Sequence, residues 1–431
     1  MKKKSILMLG LLIFSICLVT TGMDFVKAES KMIVVPDYYS TIQEAVDKAT
    51  DGDIVLVKHG TYNGSVVINK RISLIGENKN NTVIQGDWNL NGTVVLVQHD
   101  NVILKNFTVI AVEPFGLPNR RGVHLLHVKG CQVSNCDFAS HIGIWLYEAS
   151  ENVVENNRIN GFGTSHPVPT GIKLQHSQDN IIINNYVREY NNEVYSAGIS
   201  LSYSNRNFLA ENYLSNNYQG MVIEDSNYNT IKDNKITVQR FPSHISITRY
   251  SFGISFESSA NNWITGNTFL DCPNGIHLIY SSSNYLENNN ISGSRYVGVE
   301  LSENANQNQI VANSIRNNEV GANFVNSSKN LVYRNSFLDN SVQVNSNLME
   351  GINFFDNGYL GNYWNNYYGA DDNGNGIGDT PYVIDERNQD NYPIIEVEII
   401  PEFQSWTPLL VTLVAVLFVA VVYRKKLAKQ D

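Results

Sequence analysis

The sequence predicts an all-β fold, a parallel β-helix in which short strands coil into stacked turns. Three observations carry this. Apolar residues alternate behind a recurring glycine, as in Gly143-Ile144-Trp145-Leu146, Gly171-Ile172-Lys173-Leu174 and Gly275-Ile276-His277-Leu278. These glycines stand at 122, 143, 171, 198, 220, 253, 275, 298 and 321, a spacing typical of units that cannot bury their apolar face alone. Nine residues after each glycine, ten after Gly298, comes an asparagine, and five residues later a second one. In the Gly122 unit, Cys131 and Cys136 take both places.

Each unit reads as two or three strands with period-two alternation, bounded by Ser, Asn and Gly, with no room for a helix. Stacked turns put equivalent residues about 4.8 Å apart. The asparagines then form two ladders, one of them Asn157, Asn185, Asn212, Asn234, Asn267, Asn289, Asn313 and Asn335. An asparagine tolerates unusual turn dihedrals and bonds its amide to the copies above and below. The repeat predicts one elongated body of roughly twelve turns, on the order of 55–60 Å long.

At the N-terminus, Met1-Lys2-Lys3-Lys4, the apolar run 6–19 and Val26-Lys27-Ala28 have the sections of a secretory signal peptide over residues 1–28, or, uncleaved, of a membrane anchor. The body is expected over 29–358. It begins with Ser40–Tyr62, where a capping box from Ser40 to Gln43 and apolar Ile42, Ala45, Val46 and Ala49 predict a short amphipathic helix over the open end of the solenoid. The first strands are expected at 54–57, 66–68 and 72–75. An Asp/Asn/Gly-rich segment follows at 359–400, a linker at 401–405 and an apolar run at 406–423 long enough to span a bilayer. The basic tail 424–431 places the body outside the cell by the positive-inside rule.

Charged residues are only 17% of the chain. Residues 1–28 and the tail after Tyr423 hold eight of 31 basic and two of 41 acidic residues, leaving 23 against 39, a net charge near −16. Such a body repels nucleic acid and anionic lipid. It suits calcium and neutral or cationic ligands. Cys131, Cys136 and Cys272 are too few and odd in number for a disulfide framework.

The Ser40–Tyr62 opening, the Asn-x-Φ-x-x-Asn-x-Φ repeats (Φ apolar) and the close GNYWNNYYGADDNGNGIGDTPYVI (361–384) resemble the NosD-like right-handed parallel β-helix proteins. These belong to the pectin-lyase-like group of carbohydrate-binding proteins and sugar hydrolases and are named after a periplasmic copper-binding protein. The resemblance covers nearly all of the chain after the signal and implies fold more than activity. IPEFQSW (400–406), before the apolar run and basic tail, resembles an archaeal surface-sorting signal.

Four groups of residues are candidates for chemistry. Asp371, Asn373, Asn375 and Asp379 occupy positions 1, 3, 5 and 9 of a calcium-like loop, with Gly376 at 6 and Ile377 at 7. Tyr382 stands where a bidentate glutamate belongs, so a plain Asp/Asn/Gly turn is the alternative. The second group lies on long connections at one shared corner (110–121, 160–170, 188–197 and 237–251), which bring Arg120, Arg121, His166, Tyr190, Tyr195, Arg240, His244 and Arg249. Beside them the outward row His124, Trp145, Lys173, Ser200, Val222, Ser255 and His277 sets a tryptophan next to a lysine, suited to stacking on a sugar. A solvated face with one incidental aromatic is the plainer alternative.

Third, Glu224 and Glu257 fall in equivalent slots of adjacent turns, with Asp225 alongside, a spacing usable by a glycoside hydrolase. The group's Asp-Phe-x-Phe-Gly and Gly-His-Gly signatures are absent from the sequence. Fourth, His127, Glu148 and His176 share one slot in three successive turns, with His124 near, a candidate for the copper that the resemblance implies; a plain surface row is the alternative. The expected function is therefore a membrane-anchored cell-surface protein binding glycans or surface polymers. The alternatives are a polysaccharide hydrolase or lyase and a copper-delivery protein.

Overall fold

The computed structural model describes residues 30–87, 90–111, 120–161, 169–190, 196–238, 250–347 and 352–396. The segments read as signal peptide, sorting signal, membrane span and basic tail lie outside the described residues, as do His166, Tyr195, Arg240, His244 and Arg249. Among the described residues no helix is long and apolar enough to cross a membrane.

The chain coils through three parallel sheets. Sheet I runs from Met32–Val35 to Leu331–Tyr333, sheet II from Gly60–Asn63 to Tyr363–Trp364, and sheet III from Val66–Ile68 to Val342–Asn347. They hold 13, 13 and 12 strands among the described residues, one turn more than the repeat count predicts. The extra strand is Met32–Val35, which pairs with Ile54–Val57 and has no asparagine slot to announce it. Each turn passes sheet I, then II, then III.

Within one turn Ile144, Leu146, Val154 and Ile159 point inward and are fully buried, and Ile172, Leu174, Ile182 and Val187 repeat them one turn on. Burying each such side chain contributes about 1.5–3 kcal/mol. The glycine that leads each unit is a matter of space. A Cβ on Gly143 would meet Ile159 Cγ2 at 2.4 Å and the carbonyl oxygen of Gly171 at 2.5 Å.

Both ladders form. Asn157 donates from Nδ2 to Asn185 Oδ1 at 3.0 Å and to the Val133 carbonyl at 2.9 Å, while its backbone N–H reaches the same Asn185 Oδ1 at 3.1 Å. The first ladder repeats this geometry through Asn152, Asn180 and Asn207. One expectation is corrected: the unusual dihedral belongs to the residue before each rung, as in Asn156 (φ 56°), Asn184 (φ 54°) and Asp233 (φ 52°). The rung itself supplies the bonds. Cys131 and Cys136 are buried, and their N–H groups donate to Asn152 Oδ1 and Asn157 Oδ1, so cysteine starts both ladders as an inert plug.

The N-terminal helix spans Ile42–Lys48 and buries Ile42, Ala45 and Val46. Its capping box is Thr41 with Glu44, one residue later than the sequence reading of Ser40 with Gln43. Gln43 instead leaves the helix to imitate a strand. Its Oε1 accepts the Val67 N–H at 2.7 Å and its Nε2 donates to the Val67 carbonyl at 3.3 Å, pairing the first edge of sheet III.

Candidate functional site

Strand register aligns His124, Trp145, Lys173, Ser200, Val222, Ser255 and His277 across sheet III, as the sequence predicts. The long connections all leave sheet II, after Thr108–Ile110, Arg158–Gly161, Tyr186–Arg188 and Lys235–Val238, and enter sheet III beside this row.

The surroundings of Trp145 differ from the open platform expected for a sugar. His124 lies flat on the indole, ring centroids 4.5 Å apart and planes 7° from parallel. The Arg121 guanidinium sits over the same ring at 4.3 Å and the Lys173 ammonium at 5.5 Å. Parallel stacking brings these groups together from three successive turns. Trp145 is half-buried and His124 buried, and Trp145 Nε1, His124 Nε2 and Arg121 Nε are buried polar atoms without a hydrogen-bond partner among the described residues. Burial, then the charges of Arg121 and His127, pushes the His124 imidazole down to about 4, so it is neutral at pH 7. Burial also lowers Lys173 and Arg121.

Tyr190 is a second correction. It is buried, its hydroxyl donates to the Ser140 carbonyl at 3.2 Å, and its ring packs in the core, out of a ligand's reach. A long connection carries aromatic residues for packing as readily as for binding.

Glu224 and Glu257 are register partners on neighbouring strands. Shielding of its carboxyl by the wall, then the charges of Glu257 and Asp225, raises Glu224 above the ordinary carboxylate range, opposed by Lys173. Asp225 also takes up the Tyr203 hydroxyl. A carboxyl held above its ordinary range beside a second carboxyl is a feature used in acid–base work on a glycosidic bond.

His127 and Glu148 approach to 3.5 Å, while His176 stacks on Tyr203 at 5.1 Å. Among the described residues no group of three or more His, Cys, Asp and Glu side chains is placed to hold a metal. In the 371–379 loop, Gly376 has φ 81° and the Asp379 N–H closes the loop on the Ala370 carbonyl at 2.8 Å. Asp371 accepts the N–H groups of Asn375 and Gly376; Asp379 accepts the Asp372 N–H and the Asn373 amide. The four residues do converge in one loop. Each engaged oxygen keeps a second lone pair for a cation.

Sequence reasoning passed over an outward row on sheet I, Val153, Ile181, Phe208, Thr230, Trp263 and Tyr285, in which Trp263 is 50% exposed. Its signal was present, since each of these residues follows a first-ladder asparagine. A cavity of about 290 Å³ opens elsewhere, beside the N-terminal helix, lined by Thr41, Gln43, Tyr62 and Ser65 and by no charged side chain.

Comparison with known proteins places this geometry. The family model described as periplasmic copper-binding protein (NosD) matches residues 243–369, and that of the right handed beta helix region matches residues 92–248. A cell surface glycoprotein of Methanothermus fervidus is 24% identical over 365 residues, which cover 75% of this chain and 56% of that protein. The chain thus spans little more than half the length of that curated relative. Among solved structures, DFA-IIIase from Arthrobacter chlorophenolicus A6 superposes with a TM-score of 0.54 at 13% identity, over 72% of this chain and 94% of that one. The Dettilon tailspike protein does so with a TM-score of 0.53 at 14% identity, over 73% and 68%. At these identities the structural likeness is one of fold. The chain is thus similar to the NosD-like right-handed parallel β-helix proteins over residues 243–369 and to the right-handed β-helix region over residues 92–248.

Proposed function

We propose that this protein is a cell-surface β-helix that binds glycans or neighbouring surface polymers on sheet III, beside the long connections. The observation that carries this reading is the trio Trp145 Nε1, His124 Nε2 and Arg121 Nε, which has no hydrogen-bond partner among the described residues. Buried polar groups without partners cost stability, and a ligand rich in hydroxyl and acid oxygens would satisfy them. The relative that is a cell surface glycoprotein supports a surface role. In the same proposal the 406–423 run anchors the chain, the body lies outside the membrane, and the 371–379 loop takes calcium. The test is a glycan array probed with the full chain in detergent, with and without chelator, beside Trp145→Ala and Trp263→Ala. Binding lost with Trp145 supports the sheet III site. Binding lost only with Trp263 moves the site to sheet I, and no binding to any glycan refutes the reading.

A second reading rests on the raised Glu224 carboxyl beside Glu257, a glycoside hydrolase or polysaccharide lyase. Release of reducing or unsaturated sugar by the wild type, abolished in Glu224→Gln and Glu257→Gln, would establish it.

A further inference from the structure

The body carries a strong net negative charge, and some of its cations pair with carboxylates. Lys58 pairs with Asp37 at 2.6 Å, Arg206 with Asp179 at 2.7 Å and Lys79 with Asp137 at 3.0 Å. Arg121 and Lys173 are not among these pairs. Both are half-buried. Neither forms an ion pair among the described residues; Arg121 donates only a long bond, 3.3 Å from Nη1 to Thr93 Oγ1, and Lys173 feels the Glu224 charge at longer range. Both are held over the Trp145 ring instead. A cation–π contact offsets only part of the cost of taking a cation out of water.

His124 adds an independent observation. It is 8% exposed, it stacks on the same indole, and its Nε2 has no hydrogen-bond partner among the described residues. Two desolvated cations, a neutral imidazole and an indole N–H thus stand together with a surplus of donors and positive charge and a shortage of acceptors. The group that completes this set is a compact anion with several acceptor oxygens. A guanidinium fork takes such an anion through two bonds at once, and an ammonium beside it adds charge.

We propose that Arg121, His124, Trp145 and Lys173 form an anion-recognising subsite that takes the carboxylate or sulfate group of an acidic glycan. This rests on the reading that sheet III binds glycans and names which class. The subsite accounts for two cations left without counter-ions in a body of strong negative charge. It also sets a direction along the solenoid axis, with the cationic subsite at the turns of Arg121 to Lys173 and the Glu224–Glu257 pair further along the same sheet.

The test uses the full chain in detergent and two pairs of probes: a polyuronate with its carboxyl-reduced neutral counterpart, and a sulfated glycan with its desulfated form. The charged form of at least one pair is expected to bind about ten-fold or more tightly than its neutral form, with affinity falling as salt rises, and the pair that shows this identifies the anion. In Arg121→Gln/Lys173→Gln the preference should vanish. Equal binding of charged and neutral forms overturns the anion subsite and leaves the glycan reading standing. A double variant that keeps the full preference overturns the residue assignment, and failure of every probe to bind refutes both readings. The wild-type comparison of charged with neutral glycans stands even if the double variant does not fold.

Discussion

Asp390 terminates the ladder that Asn362 brings to it. Its Oδ2 accepts the Asn362 backbone N–H at 2.7 Å and the Trp364 indole N–H at 2.8 Å, while Oδ1 accepts the Tyr392 N–H at 3.0 Å. Each asparagine rung before it is an amide that accepts from one turn and donates to the next, as Asn335 does to Asn362 at 2.9 Å. A final rung has no turn beyond it to receive a donor. A carboxylate, which only accepts when ionised, fits that place.

That placement predicts a pH dependence. Burial raises the Asp390 carboxyl from 3.8 to about 6, against the bonds from Asn362, Trp364 and Tyr392, which lower it. The fold therefore holds the proton more tightly than the unfolded chain, and the associated stability is complete below about pH 4 and lost as pH rises through about 6. Two units correspond to about 3 kcal/mol. Thermal midpoints of the wild type should fall between pH 4 and pH 7 by more than those of Asp390→Asn. Parallel profiles for the two proteins would remove Asp390 as the cause.

The asparagine ladder predicts a local cost. Asn234 donates to Leu209 O and Asn267 Oδ1 and accepts both the N–H and the amide of Asn212. Asn234→Leu leaves these buried groups without partners and should destabilise the protein by about 1–3 kcal/mol. An unchanged thermal midpoint would count against the ladder as a source of stability.

Calcium at the 371–379 loop is expected to bind weakly, on the extracellular scale of about 10⁻⁴–10⁻³ M, because no bidentate glutamate stands at position 12. Saturating calcium at one hundred times its dissociation constant should stabilise the C-terminal end by about 2.7 kcal/mol. Calorimetric titration of the wild type beside Asp371→Ala/Asp379→Ala decides the matter. If both proteins titrate alike, or neither does at millimolar calcium, the loop is only a turn.

The anchor predicts a topology. Protease added to intact cells should remove the repeat body and spare a tag placed after Asp431. Digestion of the tag would reverse the proposed orientation.

What the sequence determined by itself is the part of the fold that repeats. Gly143 and its equivalents mark a close approach that no Cβ can occupy, and Asn157 and its equivalents mark bonds that run from turn to turn. Each slot is filled by the same chemistry many times, so one misleading residue, such as Cys136, does not hide the pattern. Register follows, and with it the pairing of Glu224 with Glu257 and the row through His124, Trp145 and Lys173. Features that occur once had no such averaging. The cap shifted by a residue to Thr41 because Gln43 is engaged by Val67, and Asp390 acquired its role only when the C-terminal segment folded back onto Asn362. The fate of long side chains was likewise decided in three dimensions. Arg121 and Lys173 turn onto Trp145, and Tyr190 turns inward to Ser140, because rotamers answer to neighbours 24 to 50 residues away in the chain but one or two turns away in space.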